Sequence, residues 1–166
     1  MITTADLDQA VEIRRFNDFP WGNYDNEVYG GRCGYIKTKE IQGKVTVFSS
    51  GKLISTGAKS IENSIKQLEI AKDLLLRADF INEIKLDPKV RNIVATLDLG
   101  KKVNLNILAT QLHGSTLEPE HFPGLIVKTI FRTTCLIFKT GKIVIVGAKT
   151  KEEIEKTING LKYLRY

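Results

Sequence analysis

Glu118 and Glu120 stand two residues apart in STLEPEHFPG, a spacing at which one carboxyl could serve as acid and the other as base. The stretch reads as an exposed loop, and no neighbour in sequence would desolvate or orient either group. A solvated turn or a contact with a partner fits these acids better than catalysis. Cys33 and Cys135 are isolated, with no second cysteine nearby to form a metal knuckle, so both are expected as buried thiols in a reducing compartment. His113 has no visible partner. No Ser/His/Asp set, phosphate-cradling glycine loop or metal-ligand cluster is present, and neither enzyme activity nor a cofactor is expected. What remains is cationic. Residues 1–80 hold 11 Lys and Arg against 11 Asp and Glu, whereas residues 81–166 hold 14 against 8 and supply the whole net charge of +6. That asymmetry suits a polyanionic partner.

The elements that position these groups are written twice. VFSSGKLISTGAKSIE (47–62) and IFKTGKIVIVGAKTKE (137–152) share Phe48/Phe138, Gly51/Gly141, Lys52/Lys142, Gly57/Gly147, Ala58/Ala148, Lys59/Lys149 and Glu62/Glu152. In each copy a strand enters a tight turn at SSGK or KTGK and a second strand leaves it. Each GAK is followed by a Ser- or Thr-initiated helix. The first has an apolar stripe of Ile61, Ile65, Leu68, Ala71, Leu75 and Leu76; the second has Ile154, Ile158, Leu161 and Leu164. The fold class is therefore α+β: two helix and antiparallel-sheet repeats, 1–80 and 81–166, related by a pseudo-twofold and sharing one sheet. No apolar run is long enough for a membrane helix.

The strands are apolar at both parities. Ile143 and Ile145 alternate with Val144 and Val146, and Cys135 and Ile137 alternate with Leu136 and Phe138. Such strands are normally covered on both faces. Two helices per repeat can cover only one, which leaves an open sheet face of Ile, Val and Phe, a pattern that marks a binding surface. Lys52, Lys59, Lys142 and Lys149 flank the hairpins, and Lys128, Arg132 and Lys139 line the second copy. A greasy floor with cationic edges matches a DNA minor groove, whose sugars and base edges lie between two phosphate rows.

At this point the sequence resembles the TATA-binding protein family, through VRNIVATLDLG (90–100), EPEHFPGLI (118–126), LIFKTGKIVIVGAK (136–149) and VFSSGKLISTGAK (47–59). The resemblance implies a curved saddle with its helices on the convex face. It implies a factor that binds and bends A·T-rich double-stranded promoter DNA and recruits a B-type initiation factor. The wedge mechanism is the family's own, carried over from the resemblance. Its wedge positions fall on Phe122 and Phe138 in the second repeat and on Phe48 in the first. Counting five residues on from Tyr24, as from Leu117 to Phe122, gives Tyr29 as the fourth. Asn92 corresponds to the family's base-contacting asparagine, followed on the same face by Val94. Leu136, Val144, Val146, Thr46, Ile54 and Thr56 are floor positions, and Lys52, Lys59, Lys128, Lys142 and Lys149 are phosphate contacts. Glu118, Glu120 and His121 are the candidates for docking the B-type factor. The Ile- and Lys-rich composition resembles archaeal members, which act on the nucleoid in the cytoplasm; a eukaryotic member would be nuclear.

The first repeat departs from the pattern. MITTADLDQAVEIRR reads as a helix start with no strand before it, an insertion carries Phe19, Pro20 and Trp21, and YGGRCGY replaces the FPGLI-like text. A missing strand would leave an unpaired sheet edge, which a homodimer or a folded-back N-terminal segment could cover. The alternative reading is a divergent module whose sheet face binds a protein or a second copy of itself.

Overall fold

A computed structural model of the chain describes residues 1–129 and 132–161. The chain divides into two compact units, Met1–Arg91 and Asn92–Tyr166. The division falls after β6 has begun at Lys89, some ten residues past the 80/81 boundary read from the sequence.

In the first unit, β1 (Ile2–Asp6), β2 (Gly22–Tyr24), β3 (Cys33–Ile36), β4 (Lys44–Phe48) and β5 (Lys52–Thr56) form an antiparallel sheet in the order β2-β3-β4-β5-β1. Helix α1 (Ile61–Arg77) follows, with the Ser60 hydroxyl accepting the Asn63 N–H at 3.1 Å as its N-terminal cap. Leu68, Ala71 and Leu75 on α1 join Val45, Val47 and Leu53 in the core. The inserted Phe19 and Trp21 stack at 5.0 Å and meet Phe16 and Phe80 edge-on, so the insertion extends this core.

The expected absence of a first strand is corrected here. Ile2–Asp6 pairs antiparallel with β5 from Ile2↔Thr56 to Asp6↔Lys52, occupying the edge that its loss would have opened. Ile2, Thr3 and Thr4 are β-branched and favour a pleated strand. Leu7 and Val11, within the stretch expected to start a helix, instead donate their N–H groups to the Gly51 and Ser49 carbonyls. Only Ile13–Asp18 turns helical, as a short 3-10 segment.

In the second unit, β6 (Lys89–Asp98), β7 (Ser115–Leu117), β8 (Gly124–Lys128), β9 (Thr134–Phe138) and β10 (Lys142–Ala148) run in the order β6-β10-β9-β8-β7. Helix α2 is Leu105–Gln111 and α3 is Lys151–Leu161. A capping box starts α3: Glu153 donates its N–H to Thr150 Oγ1 and accepts from the Lys149 N–H. Leu108, Leu161, Ile154 and Ile158 close over Leu125, Ile137, Ile143 and Ile145. Leu164, the last member of the expected stripe, lies outside the described residues.

The two units repeat in atomic detail. Leu99 N–H donates to Gly141 O and Val103 N–H to Lys139 O, as Leu7 and Val11 do to Gly51 and Ser49. Asp98 and Asp6 each accept the N–H of the residue two further on. The spacing between copies is thus 92 residues at the first strand and 90 at the hairpin.

Cys33 and Cys135 are free and buried. Desolvation pushes the Cys135 thiol from an ordinary 9.0 up to about 11. We expect the folded protein at pH 8 to resist a thiol-specific reagent that labels both cysteines once it is unfolded. Because the thiol stays protonated in the fold while the unfolded chain ionises above pH 9, stability should fall as pH rises from 9 to 11. Thermal melts of the protein and of Cys135→Ala across that window check the sign: the variant should lack this part of the decline.

Candidate nucleic-acid interface

Strand register decides what each sheet shows on the side away from its helices. In the second unit the cross-strand pairs Ile126↔Leu136, Leu136↔Val144 and Val144↔Thr96 place these four residues on one face. Phe138, paired with Gly124, and Val146, paired with Thr134, share that parity. Their neighbours Leu125, Ile137, Ile143 and Ile145 are fully or almost fully buried under the helices, whereas Ile126, Leu136, Phe138, Val144 and Val146 are half-buried and outside the core. Val94 is 46% exposed. The strands that are apolar at both parities therefore have one sealed face and one open one, as expected from too few helices to cover both.

Phe122 and Phe138 form a pair with ring centroids 5.7 Å apart and planes tilted by 57°. Gly124 makes room for it, since a Cβ there would stand 2.8 Å from the Phe122 ring and 3.3 Å from that of Phe138. Among the described residues, the first unit has no such pair. Phe48 is half-buried at the end of β4 and pairs with Cys33, so the place two residues upstream, where the second unit has Phe122, belongs to Gly31. Tyr29 lies two residues further back, 72% exposed, on a turn where Tyr29, Gly30 and Gly31 all have positive φ. Among the described residues no ring contact joins it to Phe48.

Ile54 and Thr56 are half-buried on the open face of β5. Thr46, opposite Ile54, is also there, with Tyr35 beyond it on β3. Tyr35 escaped the sequence reading although CGYI (33–36) opposite KVTVF (44–48) carries the signal: in antiparallel register a residue facing Thr46 must share its face. The Lys44 ammonium sits 4.0 Å from the centre of the Tyr35 ring. Burial and the neighbouring Cys33 hold the Tyr35 phenol above its ordinary 10.0, so it remains a neutral hydroxyl.

Asn92 is tied to a β-bulge. Ile145 pairs with Ala95 but Ala148 with Ile93, so β10 carries one extra residue. The Gly147 N–H freed there donates to Asn92 Oδ1 at 3.0 Å. An N–H partner fixes which end of the amide is oxygen. The Nδ2 donors, with no partner among the described residues, are left for another molecule.

Lys52, Lys59, Lys128, Lys142 and Lys149 are all exposed, and none is in an ion pair among the described residues. Glu118, Glu120 and His121 are exposed on the turn between β7 and β8, where the Glu118 carbonyl accepts the His121 and Phe122 N–H groups at 3.0 and 2.9 Å. His121 Nδ1 stands 3.7 Å from Glu118 Oε2. No helix of the described residues is long and apolar enough to cross a membrane.

Residues 1–78 and 87–163 each match the family described as "Transcription factor TFIID (or TATA-binding protein, TBP)". The TATA-box-binding protein of Cenarchaeum symbiosum is 43% identical over 157 residues, covering 95% of this chain and 86% of that protein. That of Methanothermobacter thermautotrophicus is 36% identical over 159 residues, covering 93% and 84%. Among solved structures, the Methanococcus jannaschii TBP matches with a TM-score of 0.83 at 26% identity, over 96% of this chain and 91% of that one.

Proposed function

The chain belongs to the TATA-binding protein family, and from that membership and its open sheet faces we propose that it is a transcription factor binding and bending A·T-rich promoter DNA through the minor groove. The observation that carries the proposal is the uncovered apolar floor of Phe122, Leu136, Phe138, Val144 and Val146, bordered by lysines that make no ion pair among the described residues. Minor-groove A·T pairs present only acceptors, N3 and O2. The Asn92 amide offers them donors, and the apolar floor meets the sugars. Phe122 and Phe138 wedge a base step, with Phe48 and Tyr29 at the other repeat. The exposed Glu118–His121 turn offers carboxylates to a B-type initiation factor. The protein acts by binding and distorting DNA, without chemistry of its own.

A titration of an A·T-rich duplex, followed by fluorescence anisotropy over a range of salt, tests the proposal. Each phosphate neutralised contributes a slope of about −0.9 to log K against log salt, so Lys52, Lys59, Lys128, Lys142 and Lys149 together predict roughly −4 to −5. Salt-independent binding, or none at low salt, refutes it.

A further inference from the structure

We propose that the first repeat accommodates a G·C base pair where the second rejects one, and that Thr46, with Tyr35 beside it, decides this. The inference rests on the minor-groove reading above. Aligned through their hairpins, the two open faces carry equivalent cross-strand rows: Tyr35, Thr46, Ile54 and Thr4 in the first unit, and Ile126, Leu136, Val144 and Thr96 in the second. The ends facing β1 and β6 are the same residue type, and Ile54 and Val144 are equivalent aliphatics. The rows differ in kind at two adjacent places, where hydroxyl-bearing Tyr35 and Thr46 replace Ile126 and Leu136.

The groove gives that difference a meaning. A·T and T·A present only acceptors there, and G·C adds one feature, the protruding N2 amino donor of guanine. Beneath Leu136 that amino group has no acceptor and would be desolvated unpaired, which is costly. Thr46 supplies both things the amino group needs. Its side chain is smaller than that of Leu136 at the equivalent register position, which leaves the protruding amino group more space. Its hydroxyl makes no hydrogen bond to protein among the described residues and is free to accept. Thr4, by contrast, already accepts from Arg91 Nε at 2.9 Å. Tyr35, paired with Thr46 across the strands and with Lys44 lying against its ring, brings a second hydroxyl to the same face.

The experiment is a competition series in which single G·C pairs replace each A·T pair of a bound duplex, repeated with inosine·cytosine, which lacks the amino group. Each affinity is expressed relative to the all-A·T parent for the same protein. For the natural sequence, G·C should cost about tenfold at most positions, and less than about threefold at one or two. Thr46→Leu, alone or with Tyr35→Ile, should raise the penalty at those positions to about tenfold, and inosine should remove the added penalty. Leu136→Thr should create a new tolerant position, which keeps the idea testable if the Thr46 variant fails to fold. A uniform penalty along the site, or tolerance untouched by all these variants, overturns the inference while leaving minor-groove binding intact. Failure to bind the parent duplex removes both.

Discussion

Phe138→Ala should lose roughly 10- to 100-fold in affinity for an A·T-rich duplex while melting within a few degrees of the natural protein. The affinity estimate follows from burying one phenylalanine side chain, about 1.5–3 kcal/mol, at about 1.4 kcal/mol per factor of ten. The small stability effect follows from its place. Phe138 is outside the core, on the uncovered side of β9, and its ring meets that of Phe122. Phe122→Ala should behave alike, and the double variant should lose less than the sum, because each ring supports the other. Bending should drop with affinity, read as a smaller change in energy transfer between dyes at the duplex ends. Elastic bending costs about 1–6 kcal/mol, so removing a wedge withdraws much of what offsets it. Unchanged binding by both single variants would mean that this face meets no DNA.

The second large effect is on folding. Gly141 has φ +90, and a Cβ there would stand 2.0 Å from the Lys101 carbonyl oxygen and 3.1 Å from its carbon. Neither partner can yield. Gly141 is held by its own N–H to Phe138 O and its carbonyl to Leu99 N, and the Lys101 stretch is pinned by the bond from Val103 N to Lys139 O. Gly141→Ala combines an unfavourable backbone conformation with overpacking against main chain, about 1–3 kcal/mol each. Its expected cost of about 3–5 kcal/mol is a large part of the 5–15 kcal/mol typical of a folded protein. Calorimetry should place its melting transition lower by about 10 °C or more. Gly100→Ala is the control: φ is +67 and no atom of the described residues lies within 4 Å, so only the conformational cost of about 1 kcal/mol applies. Equal effects from the two would contradict the close approach of the Lys101 carbonyl.

The hairpins, the capped helices and the open apolar face were legible because each rests on local chemistry stated twice in the chain. Gly51 and Gly141 mark the turns, Ser60 and Thr150 start the helices, and Ile143/Val144 alternation sets the faces. The first strand was not legible. Ile2–Asp6 has β-branched residues that suit a strand, but it buries two threonines where apolar residues would announce one, and its pairing with β5 settles the matter. It also stands 92 residues before its counterpart, so the 90-residue offset of the hairpins misaligns it. Tyr29 illustrates a related difficulty. The β7–β8 connection runs from Leu117, opposite Leu125, while the β2–β3 connection runs from Tyr24, opposite Gly34. That loop is two residues longer, so counting from its start and from its end gives Tyr29 and Gly31. Tyr35 became visible only once register was known.

The bulge at Gly147 ties architecture to reading through one side chain. The oxygen of the Asn92 amide answers a stranded main-chain N–H, and the nitrogen of the same planar group is thereby aimed outward. The two ends cannot rotate independently. Any drift in how β10 meets β6 swings the outward donors off target, so an error of construction at this junction would surface first as faulty recognition and only afterwards as weakness of the fold.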